Sequence, residues 1–324
     1  MPESRLILGI GELLWDILPE NPQPQGAPNS KPSPSKTLGG APANFTVMAG
    51  RLGNHAAILS RIGRDDLGRS AIDHLNPMPV DTSAIQTDSV YETGRVTVSF
   101  VDNQPHYNIH QPAAWDSLEL SDEWIQFAER ADAICFGSLA QRSEQSRQTI
   151  QTILAQTTTE CIRIFDVNLR TPFYTGEIVQ ESLELATVLK MNDEELPQIL
   201  SLIDLPTASN TGKEQLRLGA ERLLEEFPAL ELIAVTRGSC GSLLVRREEW
   251  NEHPGYPVET ADLIGAGDAF TAALAHYMLR GADLEILNEA GNRWGSWVAS
   301  QSGGMPVLTD VVRAEITAAI ENLR

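Results

Sequence analysis

Short apolar runs alternate with longer amphipathic stretches along most of the chain. An apolar run occupies residues 6–10, and from about residue 131 onward the alternation is steady. This order is typical of βαβ units wound around a parallel sheet. The predicted strands cover residues 6–10, 56–59, 133–136, 162–165, 186–189 and 232–235, with a hairpin near 242–260. The predicted helices cover residues 43–52, 67–75, 144–155, 177–185, 193–200, 213–227, 267–280, 284–301 and 309–323.

Residues 93–110 follow a different period. Apolar residues stand at alternate positions from 96 to 100, which predicts a half-exposed strand. Residues 103–105 predict a turn, and residues 106–110 predict the returning strand. We therefore expect a small antiparallel sheet inside an α/β chain, and such a sheet is a candidate lid. Residues 19–36 are rich in Pro, Asn, Gln and Ser and predict a loop or a hairpin tip.

The length of 324 residues suits about two ordinary domains, or one large α/β domain with an appendage. The chain carries 24 Lys and Arg against 44 Asp and Glu, a net charge of −20. This charge argues against nucleic acid and anionic membranes as partners, because both require a basic surface. There is no apolar run of about 18 residues to span a membrane and no export signal, so we expect a cytoplasmic protein. The three widely spaced cysteines form neither a disulfide framework nor a CxxC metal site.

The strongest chemical signal is the sequence DLIGAGDAF at residues 262–270, directly before a helical run. Glycines at a helix N-terminus let the backbone approach a ligand, and the free N–H groups and the helix dipole favour an anion there. Asp268 falls in the first helical turn, where a carboxylate beside a phosphate can act as a general base toward a hydroxyl. The alternative interpretation of Asp268 is a helix cap.

Several other polar turns follow predicted strand ends. Ligands bind to open α/β sheets at the carboxyl ends of the strands, so these turns form a candidate site. Each turn also has a structural interpretation: a solvated loop acid at Asp16, a loop-to-helix junction at 39–44, a surface salt bridge at 166–170, a capped helix start at 192–195 and a hairpin turn at 236–241. The turns are the segment at Asp16 and residues 39–44, 166–170, 192–195 and 236–241. Neither a P-loop nor the GxGxxG dinucleotide fingerprint is present.

These motifs resemble the PfkB (ribokinase-like) family of carbohydrate kinases over nearly the whole chain. Residues 39–68 are similar to the family's N-terminal signature, and residues 262–270 to its C-terminal signature. The resemblance implies a three-layer α/β/α sandwich with a small β-sheet lid. It implies one kinase domain over residues 1–324, with lid strands inserted at about 12–36 and 91–113. The segments most similar to bacterial fructokinases are residues 11–16, 40–44, 114–116 and 166–170.

The resemblance also implies a reaction, the transfer of the ATP γ-phosphate to a sugar hydroxyl, which in a fructokinase is that of C6 of fructose. Asp268 matches the catalytic base. The backbone of Gly265, Ala266 and Gly267 matches the anion hole for the transferred phosphoryl group. The positions that match substrate contacts are Asp16, Gly40, Asn44, Ile109 and Arg170. The positions that match ATP contacts are Asn192, Thr236, Gly238, Gly241, Gly267 and Asn292.

Two metal sites follow from the same resemblance. Glu195 matches a position that organises Mg²⁺ indirectly. A loop for a monovalent cation, expected to be K⁺, would comprise Asp262, Ile264, Ala299, Ser302 and Gly303. Leu263 replaces the threonine that is usual in the family, which weakens the expectation of potassium activation. We still expect the site to survive, because its ligands are mostly backbone carbonyls. Residues 304–306 also depart from the family pattern.

Two alternative functions stay open at this point. The first is a kinase of the same family that acts on ribose, a nucleoside or 2-keto-3-deoxygluconate. The second is a non-catalytic sugar-binding regulatory protein, although the retention of Asp268, Asn192 and Glu195 argues against it. The resemblance allows a homodimer through the lid, and the sequence leaves the oligomeric state and the sugar open.

Overall fold

The computed structural model of the protein describes residues 5–17, 36–101, 104–207 and 212–323. For residues 98–101 and 104–107 it describes the backbone only. The predicted loop at 19–36 lies outside the described residues except for Lys36, and so does Asn103 of the predicted turn.

The described residues form fourteen strands and ten α-helices. The strands are β1 (Leu6–Ile10), β2 (Leu14–Ile17), β3 (Lys36–Gly39), β4 (His55–Leu59), β5 (Arg61–Gly63), β6 (Gln86–Asp88), β7 (Gly94–Val101), β8 (Gln104–Ile109), β9 (Ala133–Gly137), β10 (Ile162–Asp166), β11 (Val188–Asn192), β12 (Leu232–Thr236), β13 (Ser242–Val245) and β14 (Trp250–His253). The helices are α1 (Ala41–Arg51), α2 (Asp66–Leu75), α3 (Asp122–Arg130), α4 (Glu144–Ala155), α5 (Gly176–Leu185), α6 (Glu195–Leu202), α7 (Lys213–Glu226), α8 (Ala266–Met278), α9 (Leu284–Ala299) and α10 (Asp310–Glu321). None of these described helices is long and apolar enough to cross a membrane.

The largest sheet has eight strands in the order β14-β13-β12-β11-β10-β9-β1-β4. Neighbouring strands from β4 to β12 run parallel, and β13 and β14 complete one edge as an antiparallel hairpin. The predicted parallel sheet and the hairpin are thus confirmed. Because the parallel strands point the same way, the turns that follow them meet at one edge of the sheet.

Consecutive side chains of the central strands pack on opposite faces of this sheet. Leu8 and Phe136 belong to the apolar cluster formed with α3 to α7. Their neighbours Ile7 and Cys135 belong to the cluster formed with α1, α8, α9 and α10. Because both faces of the sheet are buried, the sequences of these strands are continuous apolar runs. The result is the predicted three-layer α/β/α sandwich.

A second sheet of four strands, called the small sheet below, has the order β3-β2-β7-β8. The pairs β2–β3 and β7–β8 are antiparallel, but β2 and β7 run parallel. The antiparallel pairing predicted within residues 93–110 is therefore confirmed, and the parallel pair of β2 and β7 is an addition that was not predicted. The two pairs are separate excursions of the chain, so no tight turn joins β2 to β7 or forces them to be antiparallel. In addition, β3 reaches Gly39, beyond the predicted limit near residue 36.

Two further differences from the predicted elements have local causes. Strand β8 begins at Gln104, where a turn is predicted. Pro105 is tolerated within it because β8 is an edge strand, where a missing N–H leaves no neighbour unpaired. Helix α3 is not predicted, although Ser121 is a readable cap whose side chain accepts a hydrogen bond from the Trp124 N–H at 3.2 Å.

The contact between α8 and α9 yields a stability prediction. A Cβ at Gly291 in α9 would lie 2.5 Å from Cε2 of the buried Phe270 ring in α8. We expect Gly291→Ala to lower the free energy of unfolding by about 1–3 kcal/mol, because the ring has to move within a packed layer. Urea denaturation followed by circular dichroism measures this change.

Gly219→Ala is the matched control. A Cβ at Gly219 in α7 would meet the Leu196 and Leu200 methyl groups at 3.1 and 3.2 Å. These side-chain ends can rotate, and alanine stabilises a helix by about 1 kcal/mol relative to glycine. The control should therefore cost far less than Gly291→Ala, and equal stability of the two variants would contradict the tight contact.

Candidate active site

A cavity of about 500 Å³ opens between the small sheet and the carboxyl edge of the large sheet. The large sheet lines it through the turns after β1, β9 and β10 and through the end of β11, while α8 lines it with its first turn. The predicted site residues that line the cavity are Asp16, Gly40, Asn44, Ile109, Arg170, Ile264, Gly265, Gly267 and Asp268. The fold thus brings together residues from both ends of the chain.

Asp268 lies in the first turn of α8, with its side chain buried in the cavity wall. The Asn44 amide on α1 donates a hydrogen bond of 2.8 Å to Oδ2 of Asp268. Burial and the charge of Asp166 raise the pKa of Asp268 to about 6, while Lys190 and the bond from Asn44 lower it. Asp268 is therefore mostly ionised at neutral pH and basic enough to take a proton.

The turn from Gly265 to Gly267 lies at the N-terminus of α8, where the first N–H groups lack partners within the helix. Gly265 has a φ of 79°, and a Cβ there would lie 2.5 Å from Cα of Gly304. Glycine is thus required at this position by both conformation and space. The Ala266 N–H already donates to the Leu263 carbonyl at 3.3 Å, and the other N–H groups of the turn, together with the helix dipole, make it suitable for an anion.

Lys190 is a cavity residue that the motifs do not reveal. Its Nζ lies 3.0 Å from Oδ1 of Asp166, and the Thr271 hydroxyl of α8 donates to Oδ2 of Asp166 at 2.9 Å. Burial lowers the pKa of Lys190, but the carboxylates of Asp166, Asp268 and Glu195 raise it above its ordinary value overall. In the sequence, Lys190 could have been identified as a charged residue within the apolar run of β11. The site therefore contains a buried, permanently charged ammonium beside Gly267.

Asp16 and Arg170, both predicted to contact substrate, line the same cavity. Burial raises the pKa of Asp16 to about 6, the positive charge of Arg170 lowers it, and Asp262 raises it. Arg170 is exposed, and its guanidinium donates only to neighbours in its own segment, to Oδ1 of Asn168 at 3.1 Å and to the Leu169 carbonyl at 3.5 Å. Its guanidinium is therefore available to a ligand that enters the cavity.

Glu12 is a second cavity residue that the motifs do not reveal. Its Oε1 accepts a hydrogen bond from the Ala41 N–H at 3.3 Å, and its buried Oε2 has no hydrogen-bond partner among the described residues. Burial raises the pKa of Glu12 to about 7, backbone N–H groups lower it, and the charge of Asp268 raises it. A glutamate directly after an apolar strand was the available signal.

Asn192 and Glu195 bind each other's backbone at the start of α6. Oδ1 of Asn192 accepts from the Glu195 N–H at 2.8 Å, and Oε2 of Glu195 accepts from the Asn192 N–H at 2.9 Å. Oε1 of Glu195 accepts from the Leu169 N–H at 2.9 Å. Both oxygens of Glu195 are thus engaged, which suits an indirect metal contact better than direct ligation.

Apart from Gly267, the predicted nucleotide residues are not among those that line the cavity. Gly238 and Gly241 have φ angles of 55° and 81° in the turn after β12, which Thr236 precedes. The Asn292 amide is buried and donates to the Ser242 hydroxyl at 2.6 Å. Asn292 is therefore committed to an internal network, so in this structure its amide does not present its donors to a nucleotide.

The predicted cation loop is brought together only in part. The carboxylate of Asp262 accepts the Ile264 and Gly303 N–H groups at 3.0 and 3.1 Å. The Ala299 carbonyl accepts the N–H groups of residues 261 and 262. Ser302 and Leu263 are exposed. Carboxylate and carbonyl oxygens are suitable ligands for a hard cation, but here they are used by backbone donors.

The chain is similar in sequence and structure to several known kinases. A family model described as pfkB family carbohydrate kinase matches residues 4–310. A fructokinase of Salmonella typhimurium is 29% identical over 273 residues, covering 82% of this chain and 81% of that protein. An uncharacterized sugar kinase from Pyrococcus horikoshii, solved in complex with ATP, is 29% identical with a TM-score of 0.75 and covers 92% of this chain and 94% of its own. A fructokinase from Vibrio cholerae O395 with fructose, ADP and calcium is 23% identical with a TM-score of 0.77, covering 97% and 98% of the two chains. The predicted ribokinase-like fold is confirmed.

The unpaired carboxyl of Glu12 yields a prediction about stability and pH. Its pKa in the folded protein is about 7 against an ordinary 4.5, so the folded chain holds an extra proton between these values. The wild type should therefore lose stability as pH rises through this window. Glu12→Gln keeps the Oε1 acceptor without the charge, so it should have a higher free energy of unfolding than the wild type at pH 8. At pH 5 this advantage should be smaller, by an amount on the order of 2 kcal/mol.

Urea unfolding of both proteins at pH 5 and pH 8 measures this difference. The raised pKa values of Asp16 and Asp268 act in both proteins, so the difference between the two proteins comes from Glu12 and from its interaction with Asp268. Glu123→Gln, on the exposed face of α3, is the control and should follow the wild type. Parallel loss of stability in wild type and Glu12→Gln would show that Glu12 is not the buried acid described here.

Proposed function

The chain belongs to the pfkB family of carbohydrate kinases, and we propose that within it the protein is a fructokinase that phosphorylates the C6 hydroxyl of fructose. Family membership makes it an ATP-dependent sugar kinase. The observation that carries the proposal is the buried Asp268 carboxylate, held by Asn44 at the N-terminus of α8 inside the cavity. The 29% identity with the Salmonella typhimurium fructokinase supports fructose as the acceptor.

Asp268 is the proposed general base. The Asn44 amide holds Oδ2 of Asp268, which leaves Oδ1 to accept the proton of the sugar hydroxyl. As the hydroxyl oxygen attacks the γ-phosphorus, its proton passes to Asp268 and the bond from phosphorus to the ADP oxygen breaks. The products are the sugar 6-phosphate, ADP and the protonated carboxyl, which later releases its proton to solvent.

The N-terminus of α8 is the proposed anion hole. The N–H groups of Gly265, Ala266 and Gly267 would face the equatorial oxygens of the phosphoryl group, where charge accumulates in the transition state. Lys190 adds a positive charge close by, since a Cβ on Gly267 would lie 2.8 Å from its Nζ. These donors are already fixed by the fold, so they require little reorganisation during the reaction.

The sugar would lie between the two sheets. Asp16, Gly40 and Asn44 would hold its hydroxyls, Arg170 would contact the sugar or the phosphate, and Ile109 would cover it. In this proposal residues 1–324 are one kinase domain, and the small sheet is a lid that excludes water and so suppresses ATP hydrolysis. A homodimer through the lid stays a prediction, as does a cytoplasmic location.

ATP would occupy the edge of the sheet next to the β12 turn. Its proposed contacts are Asn192, Thr236, Gly238, Gly241, Gly267 and Asn292. Asn292 would first have to release the Ser242 hydroxyl.

Two kinds of metal ion belong to this proposal. When bound, Mg²⁺ would neutralise phosphate charge, and Glu195 would hold it indirectly. The residues proposed for K⁺ are Asp262, Ile264, Ala299, Ser302 and Gly303.

The substrate assignment can be tested by ADP release with Mg-ATP over a panel of sugars. Fructose should give the highest kcat/KM, above ribose, a nucleoside and 2-keto-3-deoxygluconate. A preference for one of the other acceptors would replace fructose as the substrate. Saturable fructose binding without turnover on any acceptor would overturn the kinase assignment for this chain and favour a sugar-binding protein.

Asp268→Asn tests the base directly. We expect kcat to fall by roughly 10²–10⁴, or about 3–5 kcal/mol of barrier, while sugar binding by calorimetry stays close to wild type. Asp310→Asn, on an exposed position of α10, is the matched control and should keep full activity. Turnover near the wild-type rate in Asp268→Asn would rule out Asp268 as the base.

A further inference from the structure

Arg142 is a buried arginine next to the cavity that has no part in the proposed chemistry. It ends the short 3₁₀ turn Leu139–Arg142 after β9, and its side chain is 5% exposed. Nε and Nη2 donate to the two oxygens of Asp116, each at 2.8 Å. Nη2 also donates to the His110 carbonyl at 2.8 Å. The planar guanidinium therefore fixes a carboxylate and a backbone group at once.

Two aromatic rings lie against the same guanidinium. Its central carbon lies 4.0 Å from the centre of the Trp115 ring and 4.7 Å from that of Phe173. A desolvated cation this close to two rings is attracted to both. We call Arg142 together with Asp116, Trp115, Phe173 and the His110 carbonyl the arginine clamp.

The clamp joins segments that reach the cavity from different sides. His110 directly follows Ile109, the last residue of β8 and part of the cavity lining. The Phe173 N–H donates to the Arg170 carbonyl at 2.7 Å, and Arg170 also lines the cavity. Asp116 also accepts the Ala113 N–H at 2.8 Å, so the segment from 110 to 113, where the chain leaves the small sheet, is held at both ends.

We propose that Arg142 is a positioning residue that sets the separation of Ile109 and Arg170 across the sugar-binding cavity. It touches neither substrate nor reacting atoms and acts through His110 and Phe173. The expected change in the sugar KM rests on the proposed sugar kinase function. The expected loss of order in the segments that Arg142 joins does not. Asp268 lies on α8, which has no member in the clamp, so the clamp governs sugar binding more than the chemical step.

Arg142→Lys keeps the charge and removes the planar fork that joins the segments. We expect the KM for the sugar to rise roughly tenfold, because a shift of either wall misplaces the bound sugar. The kcat at saturating sugar and the KM for ATP should change less than about twofold. If Arg142 served only stability, Arg142→Lys would lower the melting temperature without raising the sugar KM selectively over kcat and the KM for ATP.

Arg147→Lys is the matched control. Arg147 is also largely covered and paired with acids, namely Glu144 and Glu177, but it lies on α4 and does not line the cavity. Its substitution should leave the sugar KM unchanged. If Arg142→Lys does not fold, Phe173→Leu decides, because it removes one stacking ring from a half-buried position and should raise the sugar KM in the same direction.

Hydrogen–deuterium exchange separates this proposal from the function itself, since it needs no turnover. Arg142→Lys should exchange faster than wild type at residues 104–113 and 166–173, with α4 unchanged. Faster exchange with no sugar turnover in the wild type would support the clamp and count against the fructokinase. Unchanged exchange at both segments, or an unchanged sugar KM in an active enzyme, would overturn the clamp.

Discussion

The buried ion pair of Lys190 and Asp166 is the contact on which the cavity depends. Asp166 ends β10, Lys190 lies on β11, and Thr271 of α8 donates to the same carboxylate. The pair therefore ties two strands of the large sheet to the helix that carries Asp268. Loss of one partner would leave an unpaired buried charge, which typically costs about 3–5 kcal/mol. With both residues present, the ammonium of Lys190 lies beside the glycine turn at 265–267. Its positive charge lowers the pKa of Asp268, which burial raises.

Much of the fold was predictable because its strands and helices have clear periods and caps. The positions of Asp268 and Asn44 in one cavity followed from family motifs, although 224 residues separate them. Lys190 and Glu12 were not predicted, because an ionisable residue in or after an apolar run shows burial but not its partner. The parallel pairing of β2 with β7 was missed for a related reason, since it depends on where the large sheet places two distant excursions.

The net charge of −20 is compatible with a site for phosphate, because local donors can hold the anion and because one acid of the cavity, Glu12, is only partly ionised near neutral pH. Burial raises the pKa of Glu12 to about 7 and that of Asp16 and Asp268 to about 6. Near neutral pH the cavity therefore carries less negative charge than its carboxyl groups would suggest. Backbone N–H groups and Lys190 supply the opposite sign without a basic surface.

The parallel pairing of β2 with β7 determines how the small sheet can move. Within the described residues, four segments connect the small sheet to the rest of the molecule, namely residues 11–13, Gly40, residues 89–93 and residues 110–113. Hydrogen bonds between β2 and β7 prevent either excursion from moving alone. Any rotation of the small sheet must bend all four segments together, so it is a collective hinge and not the flapping of a loop. Asp16 and Ile109, one on each excursion, would then approach or leave the cavity in a single event.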